Sequence, residues 1–260
     1  MTSVAYNMDC IEGMANLPDE YVDLTVTSPP YDDIRDYKGY TFDWKKTIEQ
    51  LYRITKPGGV VVWIVADQTK NGSESGTSFR QSLYAMECGF NLHDTMIWEK
   101  QAFTDVASLK YRYAQVFEYM FVFSKGMPKT FNPIKDRKNI YAGKTKHGTI
   151  RKKDGTMKRM SNVGEIYGDY GIRYNVWKCN TYHDRNTIHP AIFPKSLVED
   201  HIKTWSNEGD IVLDCFMGSG TTRFACYDLN RNFVGYEISK EYFDEQERRF
   251  KIYTDQTKLF

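Results

Sequence analysis

Thr27-Ser28-Pro29-Pro30-Tyr31 is the stretch that most restricts how this chain can fold. It follows Val22-Asp23-Leu24-Thr25-Val26, a run rich in β-branched residues that reads as a buried strand. Two consecutive prolines bring no amide hydrogen to a ladder, so the strand must end there. Each proline also holds the residue before it in extended geometry. The result is a stiff corner at the carboxyl end of a strand, the place where open α/β sheets bind ligands. That corner offers the Ser28 hydroxyl, the carbonyls of Ser28 and Pro29, and the flat face of Tyr31. Acceptors beside an aromatic face suit a planar group bearing an exocyclic NH2. A Pro-Pro turn with a surface tyrosine is the plainer alternative.

The rest of the chain alternates strand and helix. Val4 to Asn7 reads as a short edge strand and Ile11 to Asn16 as a helix, closed by Leu17-Pro18-Asp19. Asp32 to Asp43 has no clear period. Trp44, Ile48, Leu51, Tyr52 and Thr55 have helical spacing, and Lys56-Pro57-Gly58-Gly59 is expected to stop that helix. Val60 to Val65 is continuously apolar, as a central parallel strand would be. A loop at 68–77, a helix from Ser78 to Cys88 ended by Gly89, and strands at Leu92–Trp98 and Tyr119–Phe123 follow. Residues 125–185 lack either period and read as an insert rather than sheet. Order returns at Pro190, with a helix from Ser196 to Trp205 and a strand at Ile211-Val212-Leu213. This alternation predicts a Rossmann-like α/β fold, mostly parallel with helices on both faces. The chain is then expected to divide at 1–124, 125–185 and 186–260, the outer two parts forming one domain.

The strand at 211–213 leads into Asp214-Cys215-Phe216-Met217-Gly218-Ser219-Gly220-Thr221-Thr222 and a second helical stretch. Glycines in a strand-to-helix turn let a ligand approach the backbone and the first amides of the helix. Another strand, Asn232 to Tyr236, ends at Glu237, 19 residues beyond Gly218. An acid at about that spacing is placed for ribose hydroxyls. Neither GxGxxG nor GxxxxGK[ST] occurs. A ribose without a phosphate cradle fits S-adenosylmethionine better than NAD or ATP. A tight turn with a solvated glutamate is the alternative.

Composition removes several classes. With 260 residues and 15% aromatics, the chain can bury a sizeable core. No run of 18 apolar residues occurs, and no basic-then-apolar leader opens the sequence. The 5 cysteines are scattered without a CxxC pair, so neither zinc nor a disulfide framework is indicated, and an intracellular, cytoplasmic setting is expected. Net charge is +1, yet Ile134 to Met160 holds ten Lys or Arg against Asp136 and Asp154. Such a window suggests a local polyanion contact, or else a solvated loop.

Ser28-Pro29-Pro30-Tyr31 taken with the turn from Asp214 to Thr222 resembles the β-class DNA amino-methyltransferases, which methylate an exocyclic base nitrogen from S-adenosylmethionine. The catalytic motif first, the cofactor motif last and a variable insert between them is similar to the β-class order. Lys56-Pro57-Gly58-Gly59, Met96 to Lys100 and Glu118 to Lys125 look like the intermediate motifs. His189-Pro190-Ala191-Ile192-Phe193-Pro194 resembles the motif beside the methionine end of the cofactor. One departure is Cys215, where the family usually has proline.

The resemblance implies a catalytic set of Ser28, Pro29, Pro30 and Tyr31. It implies cofactor contacts from Asp9, Cys10, Phe193, Asp214, Phe216, Gly218, Ser219, Gly220, Thr221 and Glu237. The target-recognition insert would put Lys144, Lys146, Arg151, Lys152, Lys153, Lys158 and Arg159 on double-stranded DNA. Serine before Pro-Pro leans toward cytosine N4; adenine N6 is the alternative. An inactive DNA-binding module with the same fold is a further one, against which the intact Ser28, Tyr31, Asp214 and Glu237 stand. No metal and no covalent enzyme intermediate are needed. A cognate restriction endonuclease and a homodimer stay open as partners.

Overall fold

The computed structural model describes residues 2–31, 42–100, 109–179 and 194–257. Phe193, with His189 to Ile192 of its motif, lies outside these, as does the aperiodic stretch at 32–41. The chain opens with β1 (Ser3–Asn7), α1 (Cys10–Ala15) and β2 (Val22–Thr27). It continues through α2 (Trp44–Ile54), β3 (Thr55–Val65), a small hairpin of β4 (Thr69–Lys70) and β5 (Ser73–Glu74), α3 (Thr77–Glu87), β6 (Asn91–Glu99) and β7 (Phe117–Ser124). Short strands β8 (Arg137–Lys138), β9 (Thr149–Arg151), β10 (Met157–Arg159), β11 (Tyr170–Gly171) and β12 (Val176–Lys178) come next. The last elements are α4 (Lys195–Trp205), β13 (Ile211–Asp214), α5 (Thr221–Asp228), β14 (Asn232–Glu237) and α6 (Lys240–Thr257).

Two compact units result: residues Met1–Asn132 with Asn175–Phe260, and residues Pro133–Tyr174. The first is built on an eight-stranded sheet in the order β1-β14-β13-β2-β3-β7-β6-β12. Pairing is parallel from β1 through β3 and again between β6 and β12, while β7 runs antiparallel to β3 and β6. This is a Rossmann-like, mostly parallel sheet.

Strand alternation sorts the core onto the two faces of the sheet. Val61, Trp63, Val65, Phe121 and Phe123 join one cluster with Met14 of α1, Ile48, Leu51 and Ile54 of α2, and Ala85 of α3. Met120, the neighbour of Phe121, points the other way and meets His201 Nε2 of α4 at 3.2 Å. Leu197, Val198 and Ile202 of α4 are buried, as are Ala225 and Cys226 of α5. Close approach decides one position in α1: a Cβ on Gly13 would lie 2.2 Å from the Tyr236 ring.

Two readings from the sequence need correction. Lys56 to Gly59 do not separate a helix from a strand. The helix passes directly into β3, and the register shift between Val22↔Thr55 and Leu24↔Val60 absorbs them as a bulge. Gly58 takes φ +79° there, a value that suits glycine. Second, β12 falls within 125–185 yet pairs with β6 in the main sheet; three residues are too few to show a period. The C-terminal helix α6 carries 18 residues.

The unit at Pro133–Tyr174 is held by paired strands, β8 with β11 and β9 with β10. Asp136 accepts from Arg173 Nε at 3.0 Å, and this guanidinium holds the Asp136 carboxyl below its usual range.

Candidate active site

The connections from β13 and β2 leave in opposite directions along the sheet: β13 goes through α5 to β14, and β2 through α2 to β3. The crevice between their carboxyl ends is therefore a topological switch point. Both motifs that the sequence singles out end there.

Asp214 closes β13 and is 1% exposed. Its Oδ1 accepts from Thr27 Oγ1 at 2.7 Å and from the Phe216 amide at 3.1 Å; its Oδ2 accepts from Thr222 Oγ1 at 2.7 Å. Burial raises its pKa, and the two threonine hydroxyls work against that rise. Asp214 thus pins the end of β2, the glycine turn and the start of α5 together. The turn itself has Gly218 at φ +48° and Gly220 at φ +81°. Ser219 Oγ and Thr221 Oγ1 are 3.1 Å apart, and Arg249 Nη1 of α6 donates to the Ser219 carbonyl at 3.2 Å. The N-cap of α5 is Gly220, so no side chain caps the first amides of that helix. A helix end of this kind suits an anionic group.

Glu237 closes β14 and is 8% exposed. Its Oε2 accepts from the Gly218 amide and its Oε1 from the Ser239 amide, each at 2.8 Å. Burial raises its pKa while these two amides oppose the rise. Each oxygen keeps a lone pair in this arrangement, so hydroxyl donors can still be received. Asp9 caps α1 through Oδ1, which accepts from the Ile11 and Glu12 amides at 2.8 and 3.2 Å. The neighbouring Met8 amide donates to the Glu237 carbonyl at 3.1 Å, which brings the Asp9-Cys10 turn beside Glu237. Cys10 is buried, and Cys215 is buried with its thiol pushed up first by burial and then by Cys10 and Asp214. Phe216 meets Phe42 edge-on at 5.1 Å.

Ser28 and Tyr31 stand at the end of β2. Ser28 Oγ lies 2.8 Å from Tyr31 Oη. Tyr31 Oη is 2.8 Å from Glu118 Oε2 and 3.3 Å from the Ile64 carbonyl. The second Glu118 oxygen receives Lys100 Nζ. Glu118 is 6% exposed at the start of β7. Neither Glu118 nor Lys100 stands out as a site residue in the sequence. The signal that could have marked them is a single acid opening an otherwise apolar strand, Glu118-Tyr119-Met120-Phe121-Val122-Phe123.

Of the basic residues, Arg151 and Lys152, Lys153, Lys158 and Arg159 are exposed on and around the β9–β10 ribbon. Lys144 is exposed, whereas Lys146 pairs with Glu165 at 2.8 Å. Among the described residues, no cluster of His, Cys, Asp and Glu fits a metal ion, and no helix is long and apolar enough to cross a membrane.

A glycine turn at a sheet switch point beside an acceptor-rich Ser-Pro-Pro-Tyr corner is an arrangement suited to nucleoside-dependent group transfer. The N6/N4 DNA methylase family model matches residues 22–248, and the chain belongs to that family. It is 53% identical to the orphan methyltransferase M.BamHII of Bacillus amyloliquefaciens, over 92% of each chain. It is 29% identical to the type II methyltransferase M.BglII of Bacillus subtilis, over 92% of this chain and 66% of that one. Among solved structures, the fold matches the PvuII DNA methyltransferase (cytosine-N4-specific) with TM-score 0.71 at 20% identity, covering 96% of this chain and 86% of that one. It also matches M1.HpyAVI in complex with SAM, with TM-score 0.62 at 26% identity, covering 96% and 100%.

Proposed function

We propose that this DNA methylase moves a methyl group from S-adenosylmethionine to the N4 amino group of a cytosine turned out of duplex DNA. The observation that carries this reading is the Ser28 corner held against the glycine turn through the buried Thr27–Asp214 bond. S-adenosylmethionine, when bound, supplies an electrophilic sulfonium methyl. The uncapped start of α5 suits its carboxylate, and Glu237 suits its ribose hydroxyls. Asp9, Cys10, Phe216, Ser219 and Thr221 complete that pocket, and Phe193 is proposed with them from its motif alone.

An exocyclic amino nitrogen is a poor nucleophile because its lone pair is delocalised into the ring. Hydrogen bonds from it to Ser28 Oγ and the Pro29 carbonyl favour a tetrahedral nitrogen with its lone pair free to attack. The same acceptors stabilise the positive charge that develops there, fixed in place before the reaction begins. Tyr31 supplies a stacking face for the base, and Pro30 adds no competing amide donor. Removing a base from the stack costs a few kcal/mol.

The unit at Pro133–Tyr174 is proposed as the target-recognition region, with its basic side chains on phosphates. A two-stranded ribbon such as β9–β10 is of a size that a major groove admits.

Expression in a host without cytosine N4 methylation, followed by nucleoside mass spectrometry of its DNA, tests the reading. A rise in N4-methylcytosine is expected. A rise in N6-methyladenine instead would keep the chemistry and overturn the base assignment made from Ser28.

A further inference from the structure

The chain Lys100–Glu118–Tyr31–Ser28 gives the Ser28–Tyr31 hydrogen bond a direction. A phenol carries one proton. The Glu118 carboxylate brings none of its own and is the nearest charged acceptor, 2.8 Å from Tyr31 Oη, so the phenol proton lies toward it. Tyr31 Oη then faces Ser28 as an acceptor, and the Ser28 hydroxyl spends its proton on that 2.8 Å contact. What Ser28 presents outward is lone pairs alone. We propose that Glu118 is a positioning residue which, through Tyr31, keeps Ser28 a hydrogen-bond acceptor toward the target amino group. This deepens the methyltransferase reading above and rests on it.

Lys100 sharpens the inference. Its ammonium donates to Glu118 Oε1 and lies 5.0 Å from the centre of the Trp98 ring. In Glu118→Gln, the ammonium claims the amide oxygen, because an ammonium has no acceptor to offer an NH2. The amide NH2 is thereby turned toward Tyr31. The phenol becomes the acceptor of that NH2 and turns its own proton to Ser28, at 2.8 Å a nearer acceptor than the Ile64 carbonyl at 3.3 Å. Ser28 then points its hydroxyl hydrogen at the site, where it opposes an incoming N–H. One atom exchanged in a buried side chain reverses the polarity of a hydroxyl two hydrogen bonds away.

The test is single-turnover methyl transfer to DNA by the wild-type chain, Glu118→Gln, Tyr31→Phe and the double variant, with S-adenosylmethionine affinity measured on each. Glu118→Gln should slow transfer roughly a hundredfold, in the range of a lost transition-state hydrogen bond, with cofactor affinity unchanged. Tyr31→Phe interrupts the chain and should cost roughly tenfold, within what a general positional loss produces. In the Tyr31→Phe background, Glu118→Gln should cost nothing more, a non-additivity that a purely structural glutamate would not produce. Multiplicative effects, or a Glu118→Gln enzyme with wild-type rate, would overturn the proposal while leaving the methyltransferase reading intact. A wild-type chain that transfers no methyl group to DNA would overturn that reading, and this one with it. If Glu118→Gln does not fold, Tyr31→Phe is combined with Ser28→Ala: its loss should vanish in the Ser28→Ala background, and multiplicative losses or an unchanged Tyr31→Phe rate remove the relay.

Discussion

Thr27 and Asp214 are 187 residues apart in sequence and 2.7 Å apart in the structure. Their hydrogen bond is buried and ties the strand that carries the Ser-Pro-Pro-Tyr corner to the strand that carries the glycine turn. Thr27→Val keeps the shape and removes the donor, leaving Asp214 Oδ1 with the Phe216 amide alone. A stability loss of about 1–3 kcal/mol is expected for a buried group deprived of a partner. Denaturant unfolding measures it, and S-adenosylmethionine affinity should weaken in parallel because the turn loses an anchor. An unchanged midpoint together with unchanged affinity would refute the tie.

Tyr31→Ala removes the proposed stacking face without touching the turn at 214–222. Cofactor affinity should hold while the rate of transfer drops by about two orders of magnitude or more. Calorimetry and methyl incorporation report the two quantities separately. Full activity in this variant would take Tyr31 out of the site.

The basic ribbon makes a claim about salt. Wild-type affinity for DNA should fall by orders of magnitude between about 50 and about 200 mM salt. Neutralising Arg151, Lys152, Lys153, Lys158 and Arg159 should flatten the log–log slope by about 0.9 for each phosphate that no longer meets a positive charge. These side chains are exposed, so the unfolding midpoint should stay where it is. Equal slopes for the wild type and the variant would sink the assignment.

Glu237 predicts a pH dependence. Burial raises its carboxyl above the value in an unfolded chain, so the folded protein holds this proton more tightly. Its contribution to stability is therefore largest in acid and is lost as pH rises from the ordinary glutamate range through the raised value. The stability margin of the wild type over Glu237→Gln should narrow as pH rises above the ordinary glutamate range of about 4. Unfolding at several pH values checks it, and a margin that is flat or widens would contradict the role of burial.

The two ends of the candidate site are legible in the sequence because each is written locally. A Pro-Pro stop after a β-branched run, and glycines between a strand and a helix, announce themselves within ten residues. Glu118 is not, because its meaning depends on the register Trp98↔Glu118, which brings it near Lys100, and on the fold of a corner 87 residues away. Asp214 is legible as part of a turn, but its work of joining β2 to α5 is not, since Thr27 looks like any strand threonine. The C-terminal helix escapes notice for a different reason. Its inner face sets Phe250 and Tyr253 against Phe224 of α5 at 5.4 and 5.0 Å, but Gln246, 0% exposed and 3.0 Å from Arg223 Nη1, interrupts that stripe with a buried amide.

The sheet order has a consequence for synthesis. β1 and β2 are made first, yet β14 and β13 lie between them. A nascent chain halted before Ile211 has no sheet neighbour for β1, and β2 keeps one edge open along Val22–Thr27. Pairings this distant close slowly. The Ser-Pro-Pro-Tyr corner and the glycine turn therefore come together only once the last two strands have taken their places between the first two.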